Sequence, residues 1–483
     1  MALPGSSAVS PYAEEPLMPP PDAAQRSIPA LRAAFDGQVI TPGDAAYEQL
    51  RAVFYRAFDR RPSAIVQVGD ADDVARVVSV ARDTGIELAV RSGGHSVAGH
   101  STSDGGIVID LSRMRALDID VARRTAWAGT GLTAGEYTTV TGAHGLATGF
   151  GDTASVGIGG ITLGGGVGYL VRGHGLTIDD VLAADVVTAD GRIVRTDAVQ
   201  HPDLFWAIRG GGGNFGVVTR FQYRLHEVDT IVGGMLMLPA TPELLTRFMA
   251  EAEAAPDELT TISNLMVAPP MPLVPAEHHG RLIMLVLLAY TGPVDAGERV
   301  IAPFRALATP LVDSVQPMRY PALYEMMEGG PESVAQEQAR SMFVDHLDDR
   351  RAGAILEHLR TSTAPMAVAQ LRVLGGAMAR VPVEATAFAH RRRRIMVAAG
   401  AVYEDAADTP VHHAWVDSLA DAVRDEESGV YVNILGDEGA ARVREAYPGS
   451  TWDRLTRIKA AYDPTNLFRL NHNIPPASDG PTP

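Results

Sequence analysis

Apolar and polar residues alternate with two different periods along this chain, and the changes of period mark its predicted elements. Short apolar runs bounded by glycine or polar clusters indicate strands, whereas apolar residues spaced three and four apart indicate helices. In the first half, strands are predicted at 64–68, 86–90, 107–111, 117–121, 125–128 and 217–225, and helices over 71–84, from 133 and over 203–209. This mixture predicts an α+β unit.

From about residue 228 the glycine clusters cease, and longer helices alternate with strands. Strands are predicted at 282–290, 367–373, 395–403 and 430–434, and helices over 242–254, 412–425 and 452–462. We therefore expect a first domain over 29–227 and a second over 228–450, the second with an antiparallel sheet covered by helices. Residues 1–28, rich in proline and small residues, are expected to form a flexible lead. Residues 451–483 are expected to form a C-terminal segment that returns to the first domain.

An excess of acidic residues and a lack of cysteine narrow the possible functions. The 483 residues include 41 Lys and Arg against 58 Asp and Glu, a formal net charge of −17. Such a surface repels phosphate backbones and anionic lipids, so neither nucleic acid nor a membrane is an expected partner. Without cysteine, disulfides, iron–sulfur clusters and thiolate nucleophiles are excluded, and redox chemistry requires an organic cofactor. The first residues lack the pattern of a signal peptide, which predicts a cytoplasmic protein.

Three glycine-rich stretches carry the candidate chemistry. They are RSGGHS at 91–96, which places a histidine among small residues, the stretch 157–168, and GGGGNFG at 210–216. Turns and close strand packing are one explanation of these glycines. Their density between residues 149 and 175 instead favours backbone N–H groups that converge on an anion. We expect one elongated ligand that contains a pyrophosphate.

Two familiar phosphate-binding motifs and a metal site fit this sequence poorly. The stretch 211–216 matches G-x-G-x-x-G, but a predicted helix precedes it and a strand follows, which reverses the order of a dinucleotide-binding fold. No glycine stretch contains the Gly-Lys-Ser/Thr of a P-loop. A metal site built from His95 and His100, with His144 or His174, is disfavoured because the spacing is irregular and no carboxylate accompanies it. No metal is expected.

The motifs together resemble those of the FAD-linked oxidases of the vanillyl-alcohol oxidase superfamily, and more narrowly of its berberine-bridge-enzyme-like group. The resemblance rests on VRSGGHS at 90–96, GIGG at 157–160 followed by GGG at 164–166, DLFWAIRGGG at 203–212, and YVN at 431–433 with YDPTNLFRLNHNI at 462–474. It implies a two-part α+β FAD-binding domain of the PCMH type over 29–227. It also implies that 228–450 form the substrate domain.

The same resemblance implies how the cofactor is held. His95 would be the residue whose ring nitrogen bonds to the 8α-methyl carbon of the flavin, while 91–97 wrap the pyrophosphate. A neutral imidazole has the free lone pair that this bond requires. Relatives with a second covalent link carry cysteine where this chain has Thr153, and they often carry histidine where it has Ile161. The expected cofactor is therefore FAD bound covalently through His95 alone, as in the 6-hydroxynicotine-oxidase-like branch.

The expected FAD contacts come from the glycine stretches and from the C-terminal segment. Asn471 and Asn473 would donate amide N–H groups to the flavin carbonyls, although a simple turn explains them equally well. The full set of expected contacts is Arg91, Ser92, Gly93, Gly94, His95, Ser96, Val97, Asp152, Thr153, Gly157, Gly159, Gly160, Ile161, Val217, Asn471 and Asn473.

The second domain is expected to supply the catalytic side chains. Alternate residues of a strand share a face, so strands 367–373 and 430–434 would present Gln370 and Arg372, with Tyr431 and Asn433, to the flavin. For each of these four, a place in the core or on a solvated face is an equal alternative. Tyr431 would accept a proton only if its surroundings lowered its usual pKa of about 10.

These expectations describe an FAD-dependent oxidase. It would oxidise a C–O or C–N bond of a small secondary metabolite, cyclic amine or alcohol, with O2 as the electron acceptor. One alternative is a flavin dehydrogenase with a different acceptor. The other is a flavoprotein that catalyses an oxidative or non-redox cyclisation.

Overall fold

The glycine-rich first half of the chain forms two sheets. The structure, a computed structural model, describes residues 21–35, 39–270, 274–326, 333–426 and 429–478. The smaller sheet has three parallel strands and one antiparallel edge strand. Its order across the sheet is Val39–Ile40, Ala64–Gln67, Ile107–Asp110 and Leu88–Arg91. The second sheet is antiparallel, in the order Leu117–Asp120, Thr125–Gly129, Val217–Arg224, Val181–Val187 and Ile193–Asp197.

Two of the helices predicted in this half, Ala71–Thr84 and Ala134–Gly142, begin directly after a capping residue. Helix Ala71–Thr84 has Asp70 at its N-terminus, whose side chain accepts from the Asp73 N–H, and Gly85 follows it with a positive φ. Helix Ala134–Gly142 begins with a capping box, in which Thr133 and Glu136 each bond the other's backbone N–H. Such caps satisfy N–H groups that have no partner inside the helix. These local signals explain why the sequence pattern located the two helices.

The second half of the chain forms an antiparallel sheet of eight strands. The order is Val312–Asp313, Thr230–Pro239, Leu282–Tyr290, Leu259–Val267, Met366–Val373, Ile395–Tyr403 and Gln336–Val344, and Gln316–Arg319 also pairs with Thr230–Pro239. Strands 282–290, 367–373 and 395–403 were predicted correctly, but Thr230–Pro239, Leu259–Val267 and Gln336–Val344 were missed. Gln336–Val344 begins with five mostly polar residues, so its pattern did not indicate a strand.

Four helices cover one face of this sheet. They are Pro242–Ala254, Val294–Arg305, Asp349–Thr361 and Thr409–Val423. On the strand Met366–Val373, Ala369, Leu371 and Val373 are buried in the core beneath these helices. Gln370 and Arg372 alternate with them and line a cavity on the opposite face. The observed fold is therefore α+β, with a helix-covered antiparallel sheet as predicted.

The remaining helices are short or lie near the ends of the chain. The α-helices are Pro21–Ala34, Tyr47–Arg51, Ile158–Gly164, Val171–His174, Pro202–Ala207, Ala322–Glu325, Gly376–Arg380, Ala440–Ala446 and Ser450–Tyr462. The 3₁₀ helices are Thr177–Asp179, Ala276–His278, Val383–Ala385, Ala406–Asp408 and Val432–Ile434, and a two-stranded sheet joins His226–Glu227 to Leu146–Ala147. Within the part of the chain that the structure describes, none of these helices combines the length and hydropathy needed to cross a bilayer.

Two predicted segments are corrected by the structure. Residues 430–434 are not a strand, because Tyr431 is followed by the 3₁₀ helix Val432–Ile434. The Tyr431 N–H donates to the side-chain hydroxyl of Ser341 at 3.3 Å and not to the backbone of a strand, so tertiary contacts override the β-branched pattern. The expected flexible lead 1–28 is helical from Pro21, and its residues 1–20 lie outside the described ranges. The division into domains at residues 228 and 451 stays a prediction.

Candidate functional site

A cavity of about 530 Å³ lies between the glycine loops and the uncovered face of the eight-stranded sheet. This volume is typical of a site for a cofactor-sized ligand. The loops after Leu88–Arg91 and before Val217–Arg224 line one side, and the sheet lines the other. The segment after helix Ser450–Tyr462 completes the first side, and the Lys459 ammonium of that helix donates to the Asn214 carbonyl at 2.7 Å.

Two of the glycine loops meet backbone to backbone at the floor of this cavity. A Cβ on Gly93 would lie 2.3 Å from the Gly157 nitrogen, closer than any real side chain allows. Gly94 has a φ of +75°, in the left-handed region that favours glycine. The string RSGGHS therefore needs its first glycine for the close approach and its second for the turn that presents His95.

The loop that carries His95 has free backbone donors. Within the described residues, the N–H groups of Gly93, Gly94, His95, Ser96 and Val97 have no hydrogen-bond acceptor, and all five residues line the cavity. Consecutive N–H groups without a protein partner are the usual lining of a phosphate site. The donors that a pyrophosphate needs are therefore present.

His95 itself is set up as a neutral imidazole. Its ring stacks on Phe54 at a centroid distance of 4.2 Å and an interplanar angle of 24°. Burial lowers the pKa of His95 to about 4, so the ring is uncharged at neutral pH. A neutral ring keeps the nitrogen lone pair that is required of a nucleophile.

Two expected cofactor residues lie outside the cavity lining. The Arg91 guanidinium pairs with the buried Asp110 carboxylate at 2.9 Å and does not line the cavity. Arg91 thus anchors the strand that carries the loop, because a buried charge needs a partner. Asn473 does not line the cavity either, and its side-chain oxygen has no partner within the described residues. Asn471 does line it, and donates to the Gly213 carbonyl at 3.2 Å.

The Tyr431 hydroxyl oxygen is surrounded by donors at the other side of the cavity. The N–H groups of Gly166 and Val167 donate to it at 3.0 and 3.2 Å, and the Asn433 amide donates at 2.9 Å. Burial raises the pKa of Tyr431, while these hydrogen bonds and the charge of Arg372 act in the opposite direction. The pKa remains above its ordinary value, so the phenol is neutral at pH 7. Its own proton is then available for donation.

Arg372 holds three parts of the site together. Its guanidinium donates to the Gln370 side chain at 2.8 Å, to the Val167 carbonyl at 2.6 Å and to the Asp152 carboxylate at 2.7 Å. Gln370 in turn donates to the Asn264 side chain at 2.9 Å. All the guanidinium nitrogens are thus engaged by protein groups, and the sheet is fastened to the glycine loops.

Comparison with known proteins assigns this arrangement to a family. A family model described as an FAD binding domain matches residues 62–197, and one described as berberine and berberine like matches residues 430–475. The chain is also 31% identical to (R)-6-hydroxynicotine oxidase of Paenarthrobacter nicotinovorans, over 92% of this chain and 97% of that protein. The chain is a berberine-bridge-enzyme-like FAD-linked oxidase. It belongs to the vanillyl-alcohol oxidase superfamily, as the sequence motifs indicated.

Solved structures agree with this FAD-linked oxidase fold. The crystal structure of 6-hydroxy-D-nicotine oxidase from Arthrobacter nicotinovorans superposes with a TM-score of 0.82 at 30% identity, and covers 92% of this chain and 98% of that chain. A xylooligosaccharide oxidase of Myceliophthora thermophila superposes with a TM-score of 0.83 at 24% identity, over 94% of this chain and 100% of that chain. At that lower identity the likeness shows the fold alone.

Most of the residues expected at the site of this oxidase are brought together. Those that line the cavity are Ser92, Gly93, Gly94, His95, Ser96, Val97, Asp152, Thr153, Gly157, Gly159, Gly160, Ile161, Val217, Gln370, Arg372, Tyr431, Asn433 and Asn471. Their roles toward FAD and substrate remain predictions. A Cβ on Gly160 would meet nothing within 4 Å, so helix Ile158–Gly164 leaves open space at this position.

Several lining residues of the oxidase were missed by sequence reasoning. They are Phe54, Tyr55, His100, Glu337 and His472. His100 and His472 lie against each other, with ring centroids 4.9 Å apart, and burial lowers their pKa values to about 3 and about 4. Phe54 and Tyr55 come from a loop with no motif, and Glu337 from a strand that was not predicted. No local signal in the sequence could have placed them here.

Proposed function

We propose that this oxidase removes a hydride from a C–O or C–N bond of a small secondary metabolite, cyclic amine or alcohol. The hydride acceptor would be FAD bound covalently through His95, with O2 as the final electron acceptor. The observation that carries the proposal is the neutral His95 ring beside five N–H groups that lack protein acceptors. Bound FAD supplies the two-electron chemistry that this cysteine-free chain lacks.

The residues that would hold the cofactor divide into two groups. The N–H groups of 93–97 would bind the pyrophosphate, and the Asn471 amide would lie beside the pyrimidine carbonyls. The absence of side chains at Gly93 and Gly157 lets the backbone approach closely. Thr153 stands where relatives form a second covalent bond, so the proposal includes one link only.

Tyr431 is proposed to position the substrate heteroatom. Its oxygen already accepts from Gly166, Val167 and Asn433, so a new contact has to use its remaining proton. A neutral tyrosine would donate this proton to a substrate oxygen or nitrogen and fix the carbon next to it. The same three donors would stabilise the phenolate form of Tyr431, which is the form that could accept the substrate proton and return to the neutral phenol.

Gln370 and Arg372 are proposed as positioning residues of the same wall. Three of the five guanidinium N–H groups of Arg372 already donate to Gln370, Val167 and Asp152, and its charge is paired with the Asp152 carboxylate. Its proposed role is to keep the Val167 backbone in place, and through it the N–H groups that bind Tyr431. The side-chain amide of Gln370 fixes the direction of the guanidinium.

The proposal is tested by anaerobic mixing of the purified protein with a panel of cyclic amines and secondary alcohols. We expect at least one compound to bleach the oxidised flavin absorbance, and admission of air to restore it with consumption of O2. Bleaching that only a dye reverses would support a dehydrogenase. Conversion of a compound without any change in flavin absorbance would support a non-redox function and contradict the proposal.

A further inference from the structure

Glu337 lies in the cavity at a place that the proposed chemistry does not use. It is part of Gln336–Val344, the edge strand of the eight-stranded sheet, and it lines the cavity together with Ala339 from the same face of that strand. One carboxylate oxygen lies 3.7 Å from the point where a Cβ on Gly400 would stand. The carboxylate therefore lies over the sheet at Gly400, within ordinary contact distance of that position.

The segment that stacks on His95 also contacts Glu337 and the start of its strand. The Tyr55 side chain lies beside the Glu337 carboxyl group, where the hydroxyl lowers and the carboxylate raises the pKa of the other group. The segment that carries Tyr55 is bonded to the start of the same edge strand, since the Val334 N–H donates to the Phe54 carbonyl at 2.9 Å and the Arg56 N–H donates to the Val334 carbonyl at 2.8 Å. Phe54 in turn stacks on His95. The carboxylate is thus held at the His95 end of the cavity.

Among the described residues of the lining, Glu337 is a carboxyl group without a cationic partner. Among the described residues, the carboxylates that line the cavity belong to Asp152 and Glu337. Asp152 is neutralised by Arg372 at 2.7 Å, whereas no basic side chain in the described part of the chain lies within ion-pair distance of Glu337. Burial raises the pKa of Glu337 to about 7, which is the expected effect of a desolvated carboxyl group without a cation.

The wall beside this carboxylate is apolar. Ala339 and Val368 line the cavity on either side of Gly400, the position nearest the carboxylate, and Ala398 lines it two residues further along the middle strand. A ligand that filled this region would therefore place a hydrocarbon or ring against small aliphatic side chains and one polar group against Glu337 and Tyr55. A carboxylate and a phenol oxygen together are a typical partner for an N–H donor that carries a positive charge.

We propose that Glu337 and Tyr55 form a subsite that binds a protonated amine of the substrate, with the apolar body of the substrate lying against Val368 and Ala398. This inference rests on the proposed function and narrows its substrate class to cationic amines. A cation in the subsite would pair the carboxylate that is otherwise buried without one, which favours amines over alcohols of equal shape. Tyr55 would orient the carboxylate toward the cation.

The test compares two probes of similar shape, benzylammonium and benzyl alcohol, by titration calorimetry on the purified full-length protein. We expect the wild-type protein to bind benzylammonium roughly tenfold or more tightly than benzyl alcohol. Glu337→Gln should abolish this preference and leave the affinity for benzyl alcohol nearly unchanged. Tyr55→Phe should reduce the preference in part. Glu404→Gln, at an exposed position, is the matched control and should keep the wild-type ratio.

Three results would overturn the inference. The first is a wild-type protein that binds both probes equally or binds neither. The second is a Glu337→Gln variant that keeps the preference for the cation. The third is a variant that weakens both probes by the same factor, which would indicate a structural role. Calorimetry needs no flavin signal, so a protein that binds the cation but carries no flavin would contradict the proposed function and leave this inference intact.

Discussion

At the scale of single residues, the site depends on polar groups whose partners are almost all supplied by the protein. The Tyr431 oxygen accepts from three donors and the Arg372 guanidinium donates to three acceptors. Within the described ranges, the exceptions include the N–H groups around His95, which lack a protein acceptor, and the carboxyl group of Glu337, which lacks a cation. We assign the first to the cofactor and the second to the substrate, because a buried polar group without a partner is unfavourable.

The contribution of the Tyr431 oxygen can be measured by Tyr431→Phe. Removal of this oxygen leaves the buried N–H groups of Gly166 and Val167 without an acceptor, so we expect a loss of about 1–3 kcal/mol in the free energy of unfolding. Reduction of the flavin by substrate should slow about a hundredfold, since the heteroatom loses its positioning donor. Denaturant unfolding and anaerobic stopped-flow measurements check the two effects.

Tyr290→Phe is the control for this prediction. Tyr290 is also buried, but its hydroxyl makes no hydrogen bond within the described ranges. We expect its substitution to change stability by less than about 0.5 kcal/mol. Equal losses in the free energy of unfolding for Tyr431→Phe and Tyr290→Phe would contradict a stabilising contribution from the three hydrogen bonds of Tyr431.

At the scale of elements, the glycine loops are held by their contact with each other. Gly93→Ala would place a methyl group 2.3 Å from the Gly157 nitrogen. Relief of this clash requires one of the two loop backbones to move. We expect the variant to fold with much lower flavin content, measured as the ratio of flavin to protein absorbance. Gly353→Ala is the control, because nothing lies within 4 Å of that Cβ. It should keep the flavin and gain about 0.4–1 kcal/mol of stability. A Gly93→Ala protein with full flavin content would show that the loops do not need this contact.

Sequence reasoning predicted elements whose signals are local and missed those that depend on distant residues. The capped helix Ala71–Thr84 and the apolar strand Leu282–Tyr290 were predicted correctly, because capping residues and apolar runs act within the element itself. The strand Gln336–Val344 was missed because its polar start faces the cavity and the sheet edge. Residues 430–434 were wrongly predicted as a strand because Ser341, ninety residues away, takes the Tyr431 N–H.

The candidate site followed the same division. His95 and the glycine loops form continuous motifs, so they could be predicted. Arg91 belongs to the same motif and was predicted with them, but its side chain pairs with Asp110 outside the cavity. Glu337 and Tyr55 are 282 positions apart and meet only when the edge strand pairs with the loop that precedes His95. A single sequence carries no signal for such a contact.

At the scale of the whole molecule, buried histidines make stability depend on pH. Burial lowers the pKa values of His95, His174, His390 and His472 to about 4, and that of His100 to about 3. The unfolded chain binds protons near pH 6.5, whereas the folded protein resists protonation until about pH 4. The contribution of these residues is therefore fully present above pH 6.5 and is lost as the pH falls toward 4.

We expect the free energy of unfolding to fall between pH 6.5 and 4, with each buried histidine contributing up to about 1.4 kcal/mol per pH unit. His390→Gln should reduce the slope, since this ring lies outside the cavity lining and its Nε2–H donates to the Glu445 carbonyl at 2.9 Å. His144→Gln, at an exposed position, should leave the slope unchanged. Equal slopes in all three proteins would contradict the assignment. Denaturant titrations over this pH range make the comparison.

The central claim is that the cavity binds FAD through one covalent bond to His95. The most direct measurement is the intact mass of the purified, acid-denatured protein, together with its absorption spectrum. We predict a mass excess equal to one FAD and a yellow precipitate for the wild-type protein, with loss of the excess in His95→Ala. Wild-type protein of unmodified mass that stays colourless after incubation with FAD would contradict the account.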